Sequence, residues 1–78
     1  MYLHIGGQWV VSLKDIVAIL NIEKLSKYNK EFYETLTYNK KLVEVSSIRE
    51  AKTCVITSDK VYLTSISPYT LTKRIENF

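Results

Sequence analysis

A chain of 78 residues makes one domain near the lower limit of what folds unaided, because it buries only about 60% of the surface its unfolded form exposes. One cysteine and one histidine exclude an internal disulfide and a tetrahedral zinc site, which leaves association between copies to supplement a thin core. Apolar residues make up 46% of the chain, too many for a disordered tail, and a net charge of +3 permits a polyanionic partner without requiring one.

Taken in order, residues 2–5 alternate Tyr2 and His4 against Leu3 and Ile5 and predict a strand. Gly6 and Gly7 suit a tight turn, since both tolerate positive φ, and residues 9–11 return as the second strand. A polar turn over 12–15 leads to a strand over 16–22. Ile16, Ala18, Leu20 and Ile22 fall on one of its faces, Val17 and Ile19 on the other. Both faces are apolar and ask for cover, and a neighbouring subunit is the simplest second cover.

Ser26 is placed to cap a helix over 27–38, with Leu25, Tyr28, Phe32 and Leu36 as its apolar stripe and Lys27, Lys30, Glu31 and Glu34 opposite. Residues 39–41 are a basic exit, 42–45 a short strand and 46–51 a polar loop. Residues 52–57 and 60–64 pair as a hairpin around Ser58 and Asp59. The last helix is well marked. Ser67 can cap it, Pro68 sits at its first position, Ile66 and Leu71 can staple it, and Leu71, Ile75 and Phe78 form its buried stripe. The fold class is α+β: a small, mostly antiparallel sheet of about five or six strands with a middle helix and a C-terminal helix.

Residues 1–7 lack a basic start followed by a long apolar region, and the apolar run 16–20 is too short for a bilayer. A cytoplasmic protein without membrane contact is expected. His4 has no nucleophile or carboxylate partner at a suggestive spacing, and Cys54 sits in a strand pattern, so both are assigned to packing. With no phosphate-cradling glycine loop, paired carboxylates or metal spacing, no enzyme activity, cofactor, metal or small-molecule substrate is expected.

Two readings of binding remain. Tyr2 and Tyr62 on exposed strand faces suggest stacking on single-stranded RNA, although tyrosines more often pack at core edges with their hydroxyls wet. Lys14 in the turn before residues 16–22, Lys40 and Lys41 before 42–45, and Arg49 and Lys52 around the polar loop are placed to reach phosphates. Against this, scattered lysines also keep a small apolar protein soluble, which on the residues alone is the plainer account.

A likeness changes that balance. Tyr2 and His4 at the start, the run Val10, Val11, Ser12, Lys14, Asp15, Ile16 and Val17, and the end Ser67, Thr70, Leu71, Lys73 and Arg74 resemble the RemA/RemB family of small bacterial extracellular-matrix regulators, the RemB branch above all. The resemblance covers residues 1–23 and 48–75. It implies a transcriptional regulator of biofilm-matrix genes that binds double-stranded DNA as a homo-oligomer, a ring or another assembly.

Within the resemblance, Lys14 takes the basic position of a first DNA-binding site, and Arg49 and Lys52 match part of a second. Glu50 departs from the consecutive arginines of RemA-like relatives and should weaken phosphate binding. Lys73 and Arg74 match the family's end, yet cations there also complement a helix dipole. On this reading Lys14, Arg49 and Lys52 share one exposed surface. A protein-interaction module that modulates another regulator, favoured by Glu50 and the modest charge, and an RNA-binding domain are the alternatives.

Overall fold

The computed structural model describes residues 1–23 and 30–76, so the roles expected of Leu25, Ser26, Lys27, Tyr28 and Phe78 lie outside the described residues. The elements are β1 (Tyr2–Gly6), β2 (Trp9–Ser12), a 3-10 turn (Leu13–Asp15), β3 (Ile16–Asn21), α1 (Lys30–Leu36), β4 (Lys41–Glu44), β5 (Thr53–Thr57), β6 (Lys60–Thr64) and α2 (Pro68–Glu76). The class is α+β, but the strands do not form one sheet. β1 and β2 pair only with each other, and the remaining four stand in the order β3-β5-β6-β4.

β4 runs parallel to β6, pairing Lys41 with Lys60 and Glu44 with Leu63. The chain leaving β4 must therefore pass the end of β6 before entering β5. Ser46 fastens that passage: its N–H donates to Leu63 O (3.0 Å) and its Oγ accepts the Ser65 N–H (3.1 Å).

Both faces of the four-stranded sheet are covered from within the chain. One carries Val43, Val55 and Tyr62 against Leu3, Ile5 and Val11 of the hairpin and Leu71 of α2. The other carries Cys54, Val61 and Leu63 against Tyr33, Phe32 and Leu36 of α1. The expected need for a neighbouring subunit over the second face is thus corrected. The N-terminal hairpin folds back and supplies it.

The facial assignment of β3 is also corrected. Ile16 pairs with Thr57 and Ala18 with Ile56, so Val17 is the extra residue of a bulge. Beyond it the alternation is reset. Ile16 and Ile19 join the hairpin-side core, Leu20 and Ile22 the α1-side core, and Val17 is left 68% exposed. β3 is an edge strand, and among the described residues no other strand pairs with its outer side.

The hairpin shares no strand ladder with the larger sheet, so side chains hold it there. Thr64, buried on β6, donates its hydroxyl to Ile5 O (2.6 Å), and Arg74 of α2 donates from Nη1 to His4 O (2.8 Å). Thr53 donates its hydroxyl to Ile66 O (2.6 Å), fixing the entry to α2. The N-terminus of α2 forms as its residues dictate: the Thr70 N–H donates to Ser67 Oγ (3.1 Å), and Ile66 and Leu71 pack in one cluster. No buried side-chain nitrogen or oxygen lacks a hydrogen-bond partner among the described residues.

Gly6 lies at a close approach of hairpin and sheet. It has φ +125°, and a Cβ there would stand 3.1 Å from Val45 Cγ1 and 3.3 Å from Thr64 Oγ1. Gly7, at φ +53°, faces open space. Gly6→Ala should therefore destabilise the fold by about 1–3 kcal/mol, since strained backbone and steric pressure act together. Gly7→Asn, in a left-handed region that asparagine tolerates, should cost less than about 1 kcal/mol. Thermal melts of the two variants check this, and equal losses would refute it.

Candidate nucleic-acid interface

Each proposed cation stands on backbone that is fixed independently of it. Lys14 projects from the 3-10 turn, whose Leu13 packs on the hairpin-side core and donates its N–H to Met1 O (3.0 Å). Arg49 stands in the turn after Ser47, between the partly buried Ile48 and Ala51. That turn is tied twice. The Ile48 N–H donates to Glu44 Oε1 (3.1 Å), and the Ala51 N–H donates to Ser47 O (3.0 Å). Lys52 donates its N–H to Thr64 O (2.9 Å) and accepts the Ile22 N–H at its carbonyl (3.0 Å), extending β5 in both directions. All three side chains are exposed.

The three do not lie close together within a single chain. Ile16 pairs with Thr57 and Asn21 with Thr53, so Lys14 lies at the Thr57 end of the β3–β5 pair and Arg49 and Lys52 at the Thr53 end. The length of β5, roughly 13–17 Å at ~3.3 Å per residue, separates them. Periodicity reports which face a residue occupies but not how strands are ordered, so this separation had no signal in the sequence.

The remaining basic residues divide by what they touch. Lys40 donates from Nζ to Thr57 O (2.6 Å) and Ser58 O (2.9 Å), closing the β5–β6 turn. Lys73 lies 5.5 Å from the centre of the Tyr69 ring and 3.6 Å from Glu76 Oε2, and Arg74 holds the hairpin. These serve local structure. Glu50 is itself engaged, accepting a long hydrogen bond from Ser47 Oγ (3.4 Å). Lys60, which sequence reasoning passed over, joins Lys14 in lining a groove of about 380 Å³ between the hairpin and the β5–β6 turn. Its position follows from β6 alternation, with Lys60, Tyr62 and Thr64 facing the hairpin, but only once the hairpin's place is known.

The aromatic platform is not assembled. Tyr2 is 65% exposed, but Tyr62 is 7% exposed and packs edge-on against Trp9 with ring centroids 5.9 Å apart. The expectation that Tyr62 lies on an exposed face is corrected, because β6 is interior to the sheet and the hairpin covers it. His4 Nε2 lies 2.7 Å from Gly7 O, a turn contact that places the ring proton on Nε2. Cys54 is buried, and burial pushes its thiol from 9.0 up to about 11. Burial, and secondarily the neighbouring Cys54, also raises Tyr33. Among the described residues no group of three or more histidine, cysteine or acidic side chains could hold a metal ion. No helix there is long and apolar enough to cross a membrane.

Residues 2–75 match the family described as RemA-like, extracellular matrix regulatory protein A-like. Extracellular matrix regulatory protein B of Bacillus subtilis (strain 168) is 35% identical over 77 residues, which cover 97% of this chain and 91% of that protein.

The Cys54 environment gives a pH dependence with a definite sign. Below pH 9 the thiol is protonated in folded and unfolded chains alike, and its burial counts fully towards stability. Between 9 and about 11 the unfolded chain loses the proton first, so stability falls as pH rises through that window. Denaturant unfolding at pH 8 and pH 10.5 should show a larger loss for the native sequence than for Cys54→Ala. Equal losses would mean that the thiol is not shielded.

Proposed function

This chain belongs to the RemA-like family of extracellular matrix regulatory proteins, and from that premise we propose that it is a non-catalytic cytoplasmic regulator that binds double-stranded DNA as a homo-oligomer. The observation that carries the reading is the set of exposed cations, Lys14, Arg49 and Lys52, raised on hydrogen-bonded turns at the two ends of one strand pair. Turns held in this way present charge to phosphates with little ordering cost on binding.

One copy offers too few contacts for useful affinity, and its cations are split between two ends. A head-to-tail assembly resolves both difficulties. The Lys14 end of one copy adjoins the Arg49 end of the next, each junction becomes a composite phosphate site, and linked junctions raise avidity by orders of magnitude. Such heterologous contacts close into rings when the rotation between copies allows it. The open edge of β3 and the exposed Val17 beside it are suited to the contact between copies.

The interaction-module alternative draws on Glu50 next to Arg49 and on exposed apolar side chains at Tyr2, Val10 and Val17. The burial of Tyr62 removes half the support for base stacking.

Duplex binding measured by anisotropy at several salt concentrations tests the reading. Lys14→Ala, Arg49→Ala and Lys52→Ala should each weaken binding to all sequences alike and flatten the salt dependence, by about 0.9 in log–log slope for every phosphate the assembly no longer neutralises. Glu50→Arg should tighten binding. If no substitution changes duplex affinity, the interaction-module reading takes its place.

Val17→Glu should leave the circular dichroism spectrum intact but lower the mass seen by light scattering, because Val17 is exposed and its loss opens no void in either core cluster. A native mass for this variant would place the contact between copies elsewhere. Ile19 is unsuited to the same test, since it packs on the hairpin-side core and a charge there would unfold the chain.

A further inference from the structure

Of the side chains lining the groove between the hairpin and the β5–β6 turn, only Lys14 takes part in the proposed DNA contact. The walls bring together four charges from two distant parts of the chain: Lys14 and Asp15 from the 3-10 turn, Asp59 and Lys60 from the β5–β6 turn. Tyr2 and Val10 add an apolar wall, and both are more than half exposed.

The four charges do not neutralise one another. Among the described residues, neither Lys14 nor Lys60 forms an ion pair with Asp15 or Asp59, as Lys30 does with Glu34 and Lys73 with Glu76 at exposed helix positions. A carboxylate of the groove receives only a long hydrogen bond, from the Thr57 hydroxyl to Asp59 Oδ1 at 3.4 Å. That hydroxyl also donates to Lys60 O at 3.1 Å, so its proton is shared.

Two ammonium groups and two carboxylates around one concavity select by charge. A simple anion meets two lysines but also two aspartates, and a simple cation meets the reverse. A ligand carrying both signs engages all four. The volume of about 380 Å³ lies at the low end of the range for ligand sites, roughly 300–1,000 Å³, so the ligand is small. Tyr2 and Val10 beside the charges supply contact for an apolar body.

We propose that this groove is a binding site for a small zwitterion with an apolar side chain, of the size and type of a free aromatic or branched α-amino acid. Its carboxylate lies toward Lys14 and Lys60, its ammonium toward Asp15 and Asp59, and its side chain against Tyr2 and Val10. The site shares Lys14 with the proposed phosphate contact but not Asp15, Asp59 or Lys60, and ligand binding is measured without DNA, so its outcome does not depend on whether the chain binds DNA.

The experiment is a titration of the full chain with L-phenylalanine, followed by amide chemical shifts. The comparison ligands are N-acetyl-phenylalanine, which keeps only the negative charge, and phenylalanine methyl ester, which keeps only the positive one. Saturable shifts at Lys14, Asp15, Asp59 and Lys60 are expected with phenylalanine, and the two singly charged analogues should bind about tenfold more weakly, the worth of one charge-assisted hydrogen bond. Lys60→Ala and Asp59→Asn should each weaken binding to a similar degree while leaving the spectrum of the remaining residues in place. Absence of saturable shifts at millimolar ligand, shifts confined to other residues, or equal affinity for all three ligands would overturn the proposal. The ligand series decides the matter even if a substitution disturbs the fold.

Discussion

The hydroxyl of Thr64 and the carbonyl of Ile5 stand 59 positions apart in sequence, and the bond between them decides how the whole molecule is layered. The first two strands share no ladder with the larger sheet, so nothing in the backbone pattern places them there. A buried donor and acceptor at the contact do. If either were missing, the other would be left unpaired in the core at a cost of about 1–3 kcal/mol, which makes this seating of the hairpin specific and not merely apolar. Gly6 permits the approach, and Arg74 repeats the device from α2. Once the hairpin is seated, the 3-10 turn that carries Lys14 is fixed over the Thr57 end of the sheet, and the groove beside it exists.

The parts of the fold that depend on neighbours in sequence were legible from the residues. Ser67, Pro68 and the Ile66–Leu71 pair marked the start of α2 because capping is decided within one helical turn. Alternation gave the strands of both hairpins to within a residue or two. What could not be read was how elements pass one another. Nothing in residues 41–44 reveals that β4 lies beside β6, because the same alternation serves a parallel or an antiparallel neighbour. The bulge at Val17 carries no glycine to announce it, and one extra residue was enough to bring Ile16 and Ile19, assigned to opposite faces, onto the same one. The candidate site follows the same rule. Lys14, Arg49 and Lys52 were recognisable as cations in polar turns, whereas their separation along β5 and the arrival of Lys60 beside Lys14 depend on pairings between distant segments.

The basic residues therefore fall into two populations that composition merges into one net charge. Lys40, Lys73 and Arg74 direct their charge at carbonyls, a ring or a carboxylate of their own chain. Lys14 and Lys52 direct theirs outward from backbone that is already paired. The first kind keeps its charge but commits its donors within the chain, whereas the second presents its donors to a partner, and a field built from a few charges per chain grows mainly by repetition of the subunit.

The seating of the hairpin has a consequence for how the protein is made. β1 and β2 leave the ribosome before the rest of the sheet and can close within microseconds, because their pairing is local. Leu3, Ile5 and Val11 then wait for β6 and α2, which follow every other strand and helix. At ~5–20 residues per second, roughly 3–12 s pass between synthesis of the hairpin and synthesis of its cover. Throughout that interval a nascent chain carries an apolar ribbon with both strand edges open, a template for pairing with its neighbours on the same message. The pace of translation through the middle of the chain thus sets how long the hairpin stays exposed to aggregation.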